Sequence, residues 1–409
     1  MVFKKPYTLK QQTPIIHFQY DQAGATLRAT EVKPKLDAFI LKKVGEETAR
    51  NKGWFIGDTT ALDYKMRFCS PGEERVNLDT REYDIYYGNM GEKTIFVEGI
   101  FAEGRTVTME IICFRKELRE TIDMYLENFF NVTNFGRMQN KGFGSFILEP
   151  KAGERIAVRD LKIKKQLCEQ YGASHCYSFP AGSKCFRRIK TVYSIIKSGL
   201  NHSGYRRSLL FYYMHDMAIG NEKAWLKQTG IAPSEFRSEN NRAKYKTYRD
   251  STGAHECFYV RALLGVGDKA EYRSGDGKET ISMNCTETDK QNKPLIERLP
   301  SPIFFKVIGD TVYYVGGRIL SYTRRKDDTP TEIWGREFKF ENKDTAKPPL
   351  SIKVPKKGAR PCFNENFMDG FLEYCFKELN STNPRGGQET PLTEFPDMQG
   401  VTIKQYTKN

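Results

Sequence analysis

Two residues near the start of the chain carry side chains that could do acid–base chemistry. His17 follows the apolar pair Ile15 and Ile16, and an imidazole titrates close to neutral pH, as a general acid or base requires. Asp21 lies in the polar loop that comes next. A histidine at a strand end is more commonly a polar contact, and a lone loop aspartate is more commonly a turn residue. We therefore expect no catalytic residue here, and His17 and Asp21 are the two to test if one exists.

Four soft ligands of the kind that a structural zinc ion uses lie close together in the sequence: Cys168, His175, Cys176 and Cys185. They contain no CxxC pair, and the adjacent positions of His175 and Cys176 make a tetrahedral site awkward. We expect buried thiols, with no metal and no cofactor.

A glycine-rich loop at 136–144 (GRMQNKGFG) could bind phosphates. Glycine permits positive φ, so the loop can turn its N–H groups toward an anion while Arg137 and Lys141 add charge. Phe135 and Phe143 could stack on bases. The loop matches neither a P-loop GK[ST] nor a dinucleotide-binding GxGxxG. The alternative is an ordinary loop between a helix and a strand.

Basic residues are concentrated in the middle of the chain. Residues 151–250 hold 20 basic and 8 acidic residues, whereas 1–150 hold 21 and 21, and 251–409 hold 24 and 22. Seven cations follow one another with no acid between them: Lys184, Arg187, Arg188, Lys190, Lys197, Arg206 and Arg207. Tyrosines are interleaved, and the same mixture returns at 242–249. Cations beside aromatic rings are typical of a groove that binds single-stranded nucleic acid, and a solvated helix face is the alternative.

The composition bounds the class of protein. The chain has 409 residues, of which 39% are hydrophobic, and a formal net charge of +14. This length and apolar content favour two folded domains over a disordered chain, and the charge favours an anionic partner. No apolar run approaches the roughly 18 residues of a membrane span. We therefore expect no membrane association. Nine cysteines without a framework spacing fit a reducing environment, and we expect the protein to be cytoplasmic.

Periodicity predicts a β-α-β-β-α-β order for residues 1–150. Strands are predicted at 7–18, 64–68, 94–101, 106–114 and 145–148, and helices after Pro34 and at 115–130. The 94–101 strand is expected to pair with 106–114 as a hairpin, and Pro34 to occupy the first turn of its helix.

The rest of the chain divides into three predicted parts. Residues 151–250 are a basic, largely helical segment, 251–380 a second, diverged ferredoxin-like domain, and 381–409 a tail. Within them we predict strands at 256–264, 302–308 and 311–315, helices at 205–219 and 364–379, and long surface loops at 266–300 and 323–361. The predicted fold class is α+β, with two ferredoxin-like (RRM-like) β-α-β-β-α-β domains and a basic helical insertion.

The stretch NFGRMQNKGFGSF resembles the glycine-rich loop of the RAMP superfamily (repeat-associated mysterious proteins), which precedes the last strand of a ferredoxin-like fold. TPIIHF followed by GATLRATEVKPKL is similar to the opening of that family, and RLPSPIFFKV to a strand of its second domain. The glycine pair usual after the first strand is replaced by HFQYDQ.

The resemblance implies an RNA-binding (guide RNA) subunit of a Cmr-type type III CRISPR complex, or of a related RAMP-based antiviral defence ribonucleoprotein, with other RAMP subunits as partners. It implies RNA contacts by Arg28, Lys33, Lys35, Gly136, Arg137, Lys141, Gly142 and Gly144. Asp21 stands where the RNA-cleaving RAMP subunits keep an aspartate, and RNA-processing RAMP ribonucleases use a histidine. We therefore keep two alternatives, a metal-independent endoribonuclease that processes guide precursors through His17, and a protein scaffold.

The expected RNA-binding surface combines the positions implied by the family with those that the residues themselves suggest. The residues are Arg28, Lys33, Lys35, Gly136, Arg137, Lys141, Gly142, Phe143, Gly144, Lys184, Arg187, Arg188, Lys190, Arg206 and Arg207.

Overall fold

The computed structural model describes most of the chain, as two units. The described residues are 3–17, 26–80, 96–150, 153–201, 205–232, 257–267, 269–274, 277–319, 331–381, 392 and 395–408. The first unit comprises Met1–Lys190, Phe304–Val315 and Gly400–Asn409, and the second comprises Thr191–Ile303 and Gly316–Gln399. Residues 153–190, which we predicted to belong to the basic segment, therefore lie in the first unit.

Eight helices occur in the described residues: α1 (Ala29–Val44), α2 (Glu46–Asn51), α3 (Lys116–Val132), α4 (Ile156–Tyr171), α5 (Cys185–Lys197), α6 (Leu209–Asp216), α7 (Glu222–Gln228) and α8 (Phe367–Leu379). The longer strands are β1 (Lys4–Gln11), β2 (Lys65–Cys69), β3 (Glu73–Asp79), β4 (Phe96–Ala102), β5 (Thr106–Ile112), β6 (Phe146–Leu148), β7 (His175–Pro180), β12 (Lys269–Ser274), β13 (Gly277–Cys285), β14 (Ile303–Ile308), β15 (Thr311–Gly316), β16 (Glu337–Asn342), β17 (Leu350–Lys353) and β18 (Lys404–Thr407). Two-residue strands are β8 (Leu200–Asn201), β9 (Tyr205–Arg206), β10 (Gly220–Asn221) and β11 (Cys257–Phe258).

The first sheet has the order β2-β5-β1-β6, and all neighbouring strands are antiparallel. β5 buries alternate residues, Val107, Met109 and Ile111, as a strand with one face on a core does. The buried face of α3 begins with Leu118 and Ile122 and continues along the helix. The helical spacing of these apolar residues is the pattern from which we predicted the helix. These side chains share one apolar core, so the first sheet and its helices fold around it.

The second sheet of the first unit has the order β14-β15-β7-β18. Every residue of β14 is buried, which explains its continuous apolar sequence around Lys306. β7 pairs with both β15 and β18, in the registers Ser178↔Tyr313 and Tyr177↔Gln405. The end of the predicted tail is therefore a strand of this sheet.

The second unit contains the antiparallel sheet β12-β13-β16-β17. On α6 and α8, Tyr213 packs edge-on against Phe371 and Tyr374, with ring centroids 5.3 and 5.1 Å apart. Our prediction of long surface loops at 266–300 and 323–361 was wrong, because β12, β13, β16 and β17 lie there. These strands are short and contain many charged residues, so the alternation of apolar and polar residues that identifies a strand is hard to recognise in the sequence.

Three further local predictions were also wrong. The 94–101 and 106–114 strands do not form a hairpin, because β4 pairs with β3 and its Ile100 exchanges backbone hydrogen bonds with Ile15. Pro34 lies inside α1, which begins at Ala29. Because proline has no backbone N–H, one hydrogen bond of the helix is not formed there. The predicted strand at 256–264 is replaced, from residue 257 onward, by the short strand β11 and a 3₁₀ turn at Val260–Leu264.

At the level of fold class, the prediction of a mixed α and β protein with antiparallel sheets is confirmed. No helix among the described residues is both long and apolar enough to cross a membrane.

Candidate nucleic-acid interface

A cavity of 490 Å³ in the first unit gathers basic side chains from segments far apart in the sequence. Its walls come from the end of β1, the β4–β5 turn, the loop before α5 and the β14–β15 turn. The lining residues are Gln12, Thr13, Pro14, Phe101, Arg105, Ala181, Gly182, Ser183, Lys184, Cys185, Phe186, Arg187, Val307, Gly309 and Asp310. Three of them, Arg105, Lys184 and Arg187, are cations with exposed side chains.

The loop before α5 is held in place from two sides. The backbone N–H of Ala181 donates to the carbonyl of Asp310 at 2.8 Å, and the N–H of Gly182 donates to the Asp310 carboxylate at 2.7 Å. From the helix side, Arg188 Nη1 donates to the carbonyls of Pro180 and Ala181 at 2.8 and 3.3 Å. Arg188 therefore braces the loop, while Arg187 stays exposed.

The start of α5 adds to the positive potential of the cavity. Its first turn contains no acidic residue, and the N-terminal N–H groups of a helix carry partial positive charge. Lys184 and Arg187 lie in and beside this turn, so side chains and backbone favour an anion in the same place.

Arg105 is a site residue that our sequence reasoning missed. It lies in the β4–β5 turn with φ 53°, and its guanidinium lies over the Phe101 ring, 4.3 Å from the centroid. From the sequence AEGR at 102–105 we could predict only a tight turn. Nothing local indicated that it would meet the loop before α5.

The glycine-rich loop packs inside the protein. The N–H groups of Gly136, Arg137 and Gly144 donate to Glu31 Oε1, the Ile16 carbonyl and the Pro14 carbonyl at 2.8, 2.7 and 2.9 Å. These three donors are thus used within the fold and do not point to a phosphate.

The glycines are needed for close packing. A Cβ on Gly136 would lie 2.5 Å from the Ile16 carbonyl oxygen, and one on Gly144 would lie 1.8 Å from that of Phe135. Gly142 is buried as well, and its carbonyl accepts from Thr13 Oγ1 at 2.8 Å. The loop therefore supports the segment Thr13–Pro14 that lines the cavity.

The rings of Phe135 and Phe143 are buried, which does not fit the predicted stacking on bases. Phe135 packs against Phe129 and Phe146 in the core of the first unit. Phe143 is 1% exposed and belongs to a small apolar cluster with Ile16 and Leu78. Arg137 and Lys141 on the same loop are half-buried and have contacts within the protein.

The α1 lysines are engaged inside the first unit. Lys33 Nζ lies 2.8 Å from Asp37 and donates to the Leu62 carbonyl at 2.8 Å. Lys35 Nζ lies 2.9 Å from Glu31 and donates to Gln139 Oε1 at 2.9 Å. Each amine thus already has a carboxylate and a second acceptor.

The remaining predicted residues are not among the residues that line the cavity. Arg28 and Lys190 are half-buried. The Arg207 guanidinium lies over the Phe211 ring, 4.9 Å from the centroid. Arg206 is in β9, and its side chain lies outside the described residues, as do Asp21 and the basic tract at 242–249.

His17 is 8% exposed and has a contact within the protein. Its position is that of a packed histidine beside Ile16.

The soft ligands Cys168 of α4, His175 and Cys176 of β7 and Cys185 of α5 do not form a metal site: in the described part of the chain, no group of three or more His, Cys, Asp or Glu side chains is arranged to hold an ion. Cys168 and Cys176 are fully buried. Burial raises the pKa of the Cys176 thiol well above its ordinary value and the pKa of Cys185 to about 12. Both thiols therefore stay protonated and unreactive near neutral pH.

Comparison with known proteins identifies two family models along the chain. The Cmr1 N-terminal domain matches residues 2–200 and the Cmr1 C-terminal domain matches residues 205–399. The comparison with curated proteins found no match.

Two solved structures are similar to parts of the chain. The first is a chain of "Cryo-EM structure of the Type III-B Cmr-beta bound to cognate target RNA", with 13% identity over 36% of this chain and 58% of that one, at a TM-score of 0.27. The second is apo Cmr1 from Pyrococcus furiosus, with 9% identity over 86% of this chain and 99% of that one, at a TM-score of 0.36. Because both TM-scores are low, the assignment depends on the two family models, which together span nearly the whole sequence. The chain belongs to the Cmr1 family, which confirms the resemblance to a RAMP subunit of a Cmr-type complex.

Proposed function

We propose that this chain is a non-catalytic, RNA-binding subunit of a Cmr-type CRISPR ribonucleoprotein, with guide RNA as its ligand and other RAMP subunits as its partners. Membership of the Cmr1 family supports this assignment. The observation that carries it is the meeting of Arg105, Lys184 and Arg187 at one cavity beside the start of α5.

The cavity suits binding better than proton transfer. Three exposed cations face it, whereas Asp310, the acid in its described lining, already accepts a hydrogen bond from the Gly182 N–H. Lysine and arginine neutralise backbone phosphates without reading the bases. His17, the candidate for an endoribonuclease, is buried. The geometry therefore favours the binding subunit.

We also propose that both sheets of the first unit are ferredoxin-like. β1, α1, β2, β5, α3 and β6 follow one another as β-α-β-β-α-β, in the sheet order β2-β5-β1-β6. In the second sheet, β7, β14, β15 and β18 follow one another along the chain, and their order β14-β15-β7-β18 matches that of the first sheet strand for strand. In this proposal the first and last strands of the second domain along the chain, β7 and β18, lie outside the predicted range 251–380.

The test replaces Arg105, Lys184 and Arg187 by alanine together and measures binding of a fluorescent single-stranded RNA over a range of salt concentrations. Each lost phosphate contact lowers the slope of log K against log salt by about 0.7, so the triple variant should lose about 2 from the slope. Its affinity at low salt should fall with the slope.

A matched control removes the same charge at the opposite end of the first sheet. Lys65, Arg67 and Lys116 lie at or near the end of β5 where Lys65 pairs with Ile112, and Arg67 and Lys116 are 71 and 75% exposed. The control variant should keep the wild-type slope. Equal losses in both variants would show only a general charge effect and would remove the cavity from the proposal.

A further inference from the structure

Lys306 of β14 is a lysine whose side chain lies entirely inside the first unit, with 0% exposure. Its Nζ donates to the Thr133 carbonyl at 2.7 Å and to the Phe146 carbonyl at 3.1 Å. Thr133 caps the C-terminal end of α3, where carbonyl groups carry partial negative charge, and Phe146 is the first residue of β6. A buried amine needs such acceptors, and burial lowers the pKa of Lys306 well below its ordinary value. One side chain of the second sheet therefore binds two elements that belong with the first.

The backbone on both sides of Lys306 is joined to the same region by further hydrogen bonds. β14 is an edge strand of its sheet, so one side of its backbone is open to other partners. Asn134 Nδ2 donates to the Phe305 carbonyl at 2.9 Å, and Ser145 Oγ donates to the Val307 carbonyl at 2.6 Å. We call these two hydrogen bonds and the two of Lys306 the seam. The seam joins β14 to the segment that runs from the end of α3 to the start of β6.

The seam reaches the wall of the cavity beside α5. Val307 takes part in the seam and also lines the cavity. The Gly309 N–H donates to Gln12 Oε1 at 2.8 Å, and both of these residues are in the lining as well. Gln12 directly follows β1 of the first sheet, and Gly309 directly follows β14 of the second. The cavity therefore lies where the two sheets meet, and the seam fixes their spacing there.

The cations at the cavity come from both sides of the seam. Arg105 directly precedes β5 of the first sheet, whereas Lys184 and Arg187 lie in the segment that follows β7 of the second. Phosphate contacts fix how a strand lies on a protein, so contacts from both sides to one strand require a defined spacing between the sides. Loosening of the seam would change that spacing.

We propose that Lys306 is a positioning residue for RNA at the cavity: its two hydrogen bonds hold the two sheets at the spacing that lets the cations of both sides act on one strand. The inference rests on the proposed RNA-binding function and adds to it a buried residue that the RNA does not touch. Lysine suits this role because one amine reaches acceptors on two elements, whereas an apolar side chain would leave both carbonyls without this donor.

A double-mutant cycle between Lys306→Met and Arg105→Ala tests the proposal on the full chain. Methionine keeps an unbranched side chain of similar length and removes the amine. The affinity for a fluorescent single-stranded RNA is measured at low salt and at a temperature where unfolding curves show each variant to be folded. Once the seam is loosened, Arg105 no longer acts on the strand together with the other cations, so its removal should cost little more. Effects at independent sites multiply to within about twofold, so the double variant should bind at least about threefold more tightly than the product of the two single losses predicts.

The matched control is the same cycle with Ile122→Ala in place of Lys306→Met. Ile122 is 0% exposed in the core of the first unit and takes no part in the seam, so its truncation destabilises the unit without loosening the seam. Its effect on RNA affinity should multiply with that of Arg105→Ala. Wild-type affinity of Lys306→Met, multiplying effects in its cycle, or equal coupling in the control overturns the positioning role and leaves the cavity standing as the binding site.

Ser145→Ala provides a second cycle, because Lys306→Met leaves two buried carbonyls without a donor and can prevent folding. This variant removes one hydrogen bond of the seam with a smaller change in side-chain size. If Lys306→Met does not fold, coupling between Ser145→Ala and Arg105→Ala supports the proposal, and multiplying effects overturn it. Failure of the unmodified chain to bind RNA at low salt overturns the proposed function and this inference together.

Discussion

Phe143 of the glycine-rich loop stacks on Phe186 of α5, with ring centroids 4.0 Å apart and ring planes 12° from parallel. Phe186 also lines the cavity beside α5. On the other side of the loop, the Gly144 N–H holds the carbonyl of Pro14, another lining residue. The loop therefore shapes two walls of the cavity, and its contribution to the proposed RNA binding is indirect.

We expect Gly144→Ala to disrupt this arrangement. Gly144 has φ 65°, and the added methyl carbon would lie 1.8 Å from the Phe135 carbonyl oxygen, so the backbone must move. The free energy of unfolding should fall by more than about 3 kcal/mol, and RNA affinity should fall with it. Denaturant unfolding followed by circular dichroism measures the first effect, and RNA titration measures the second.

Gly104→Ala is the matched control for backbone strain. Gly104 also has positive φ, 60°, but no atom lies within 4 Å of the position that its added methyl carbon would take. The control should lose only about 1 kcal/mol, from the left-handed conformation itself. Equal stability losses at the two glycines would show that conformation, and not the contact with Phe135, makes Gly144 necessary.

The neighbours Arg187 and Arg188 should behave differently when each is replaced by alanine. Arg188 donates to two carbonyls of the loop before α5, so its loss should lower stability by about 2 kcal/mol and disorder one cavity wall. Arg187 is exposed at the cavity, so its loss should leave stability unchanged and reduce the salt-dependence slope of RNA binding by about 0.7.

Thermal unfolding and RNA titration of the two single variants check this prediction. Arg188→Lys should recover part of the stability, since one ammonium can reach one of the two carbonyls. If Arg187→Ala destabilises the protein as much as Arg188→Ala does, the assignment of bracing and binding roles is wrong.

The sequence predicted elements with clear periodicity and failed where pairing is long-range. The buried face of α3 beginning at Leu118 and Ile122 follows from helical spacing alone, and the strand β14 follows from its continuous apolar run. The partner of β4 was not, since Ile100 bonds to Ile15, far away in the chain. Strand pairing at that separation is set by packing, which local propensity does not contain.

The candidate site was predicted in composition but not in geometry. The surplus of charge around Lys184 and Arg187 was evident by counting. The glycine-rich loop, by contrast, has the residues of a phosphate-binding loop, but its N–H groups turn inward to Ile16 and Pro14. Arg105 carried no local signal, because only the fold brings its turn to the cavity.

The depressed pKa of Lys223 predicts a dependence of stability on pH. Lys223 titrates near 7 in the folded chain, and its ordinary value is 10.5, so between these values the unfolded state binds more protons. Stability should therefore rise with pH from about 7 to 10 by up to about 1.4 kcal/mol per pH unit from this group. Burial is the main cause of the lowered pKa; the cations Arg261 and Lys227 lower it too, and Glu222 opposes them. Buried tyrosines and thiols contribute with the opposite sign, because their raised pKa values favour folding at lower pH.

The measurement is therefore the difference in unfolding free energy between wild type and Lys223→Gln at several pH values. The wild type should gain unfolding free energy relative to the variant as the pH rises. A difference that is flat across this range would show that Lys223 titrates as an ordinary exposed lysine.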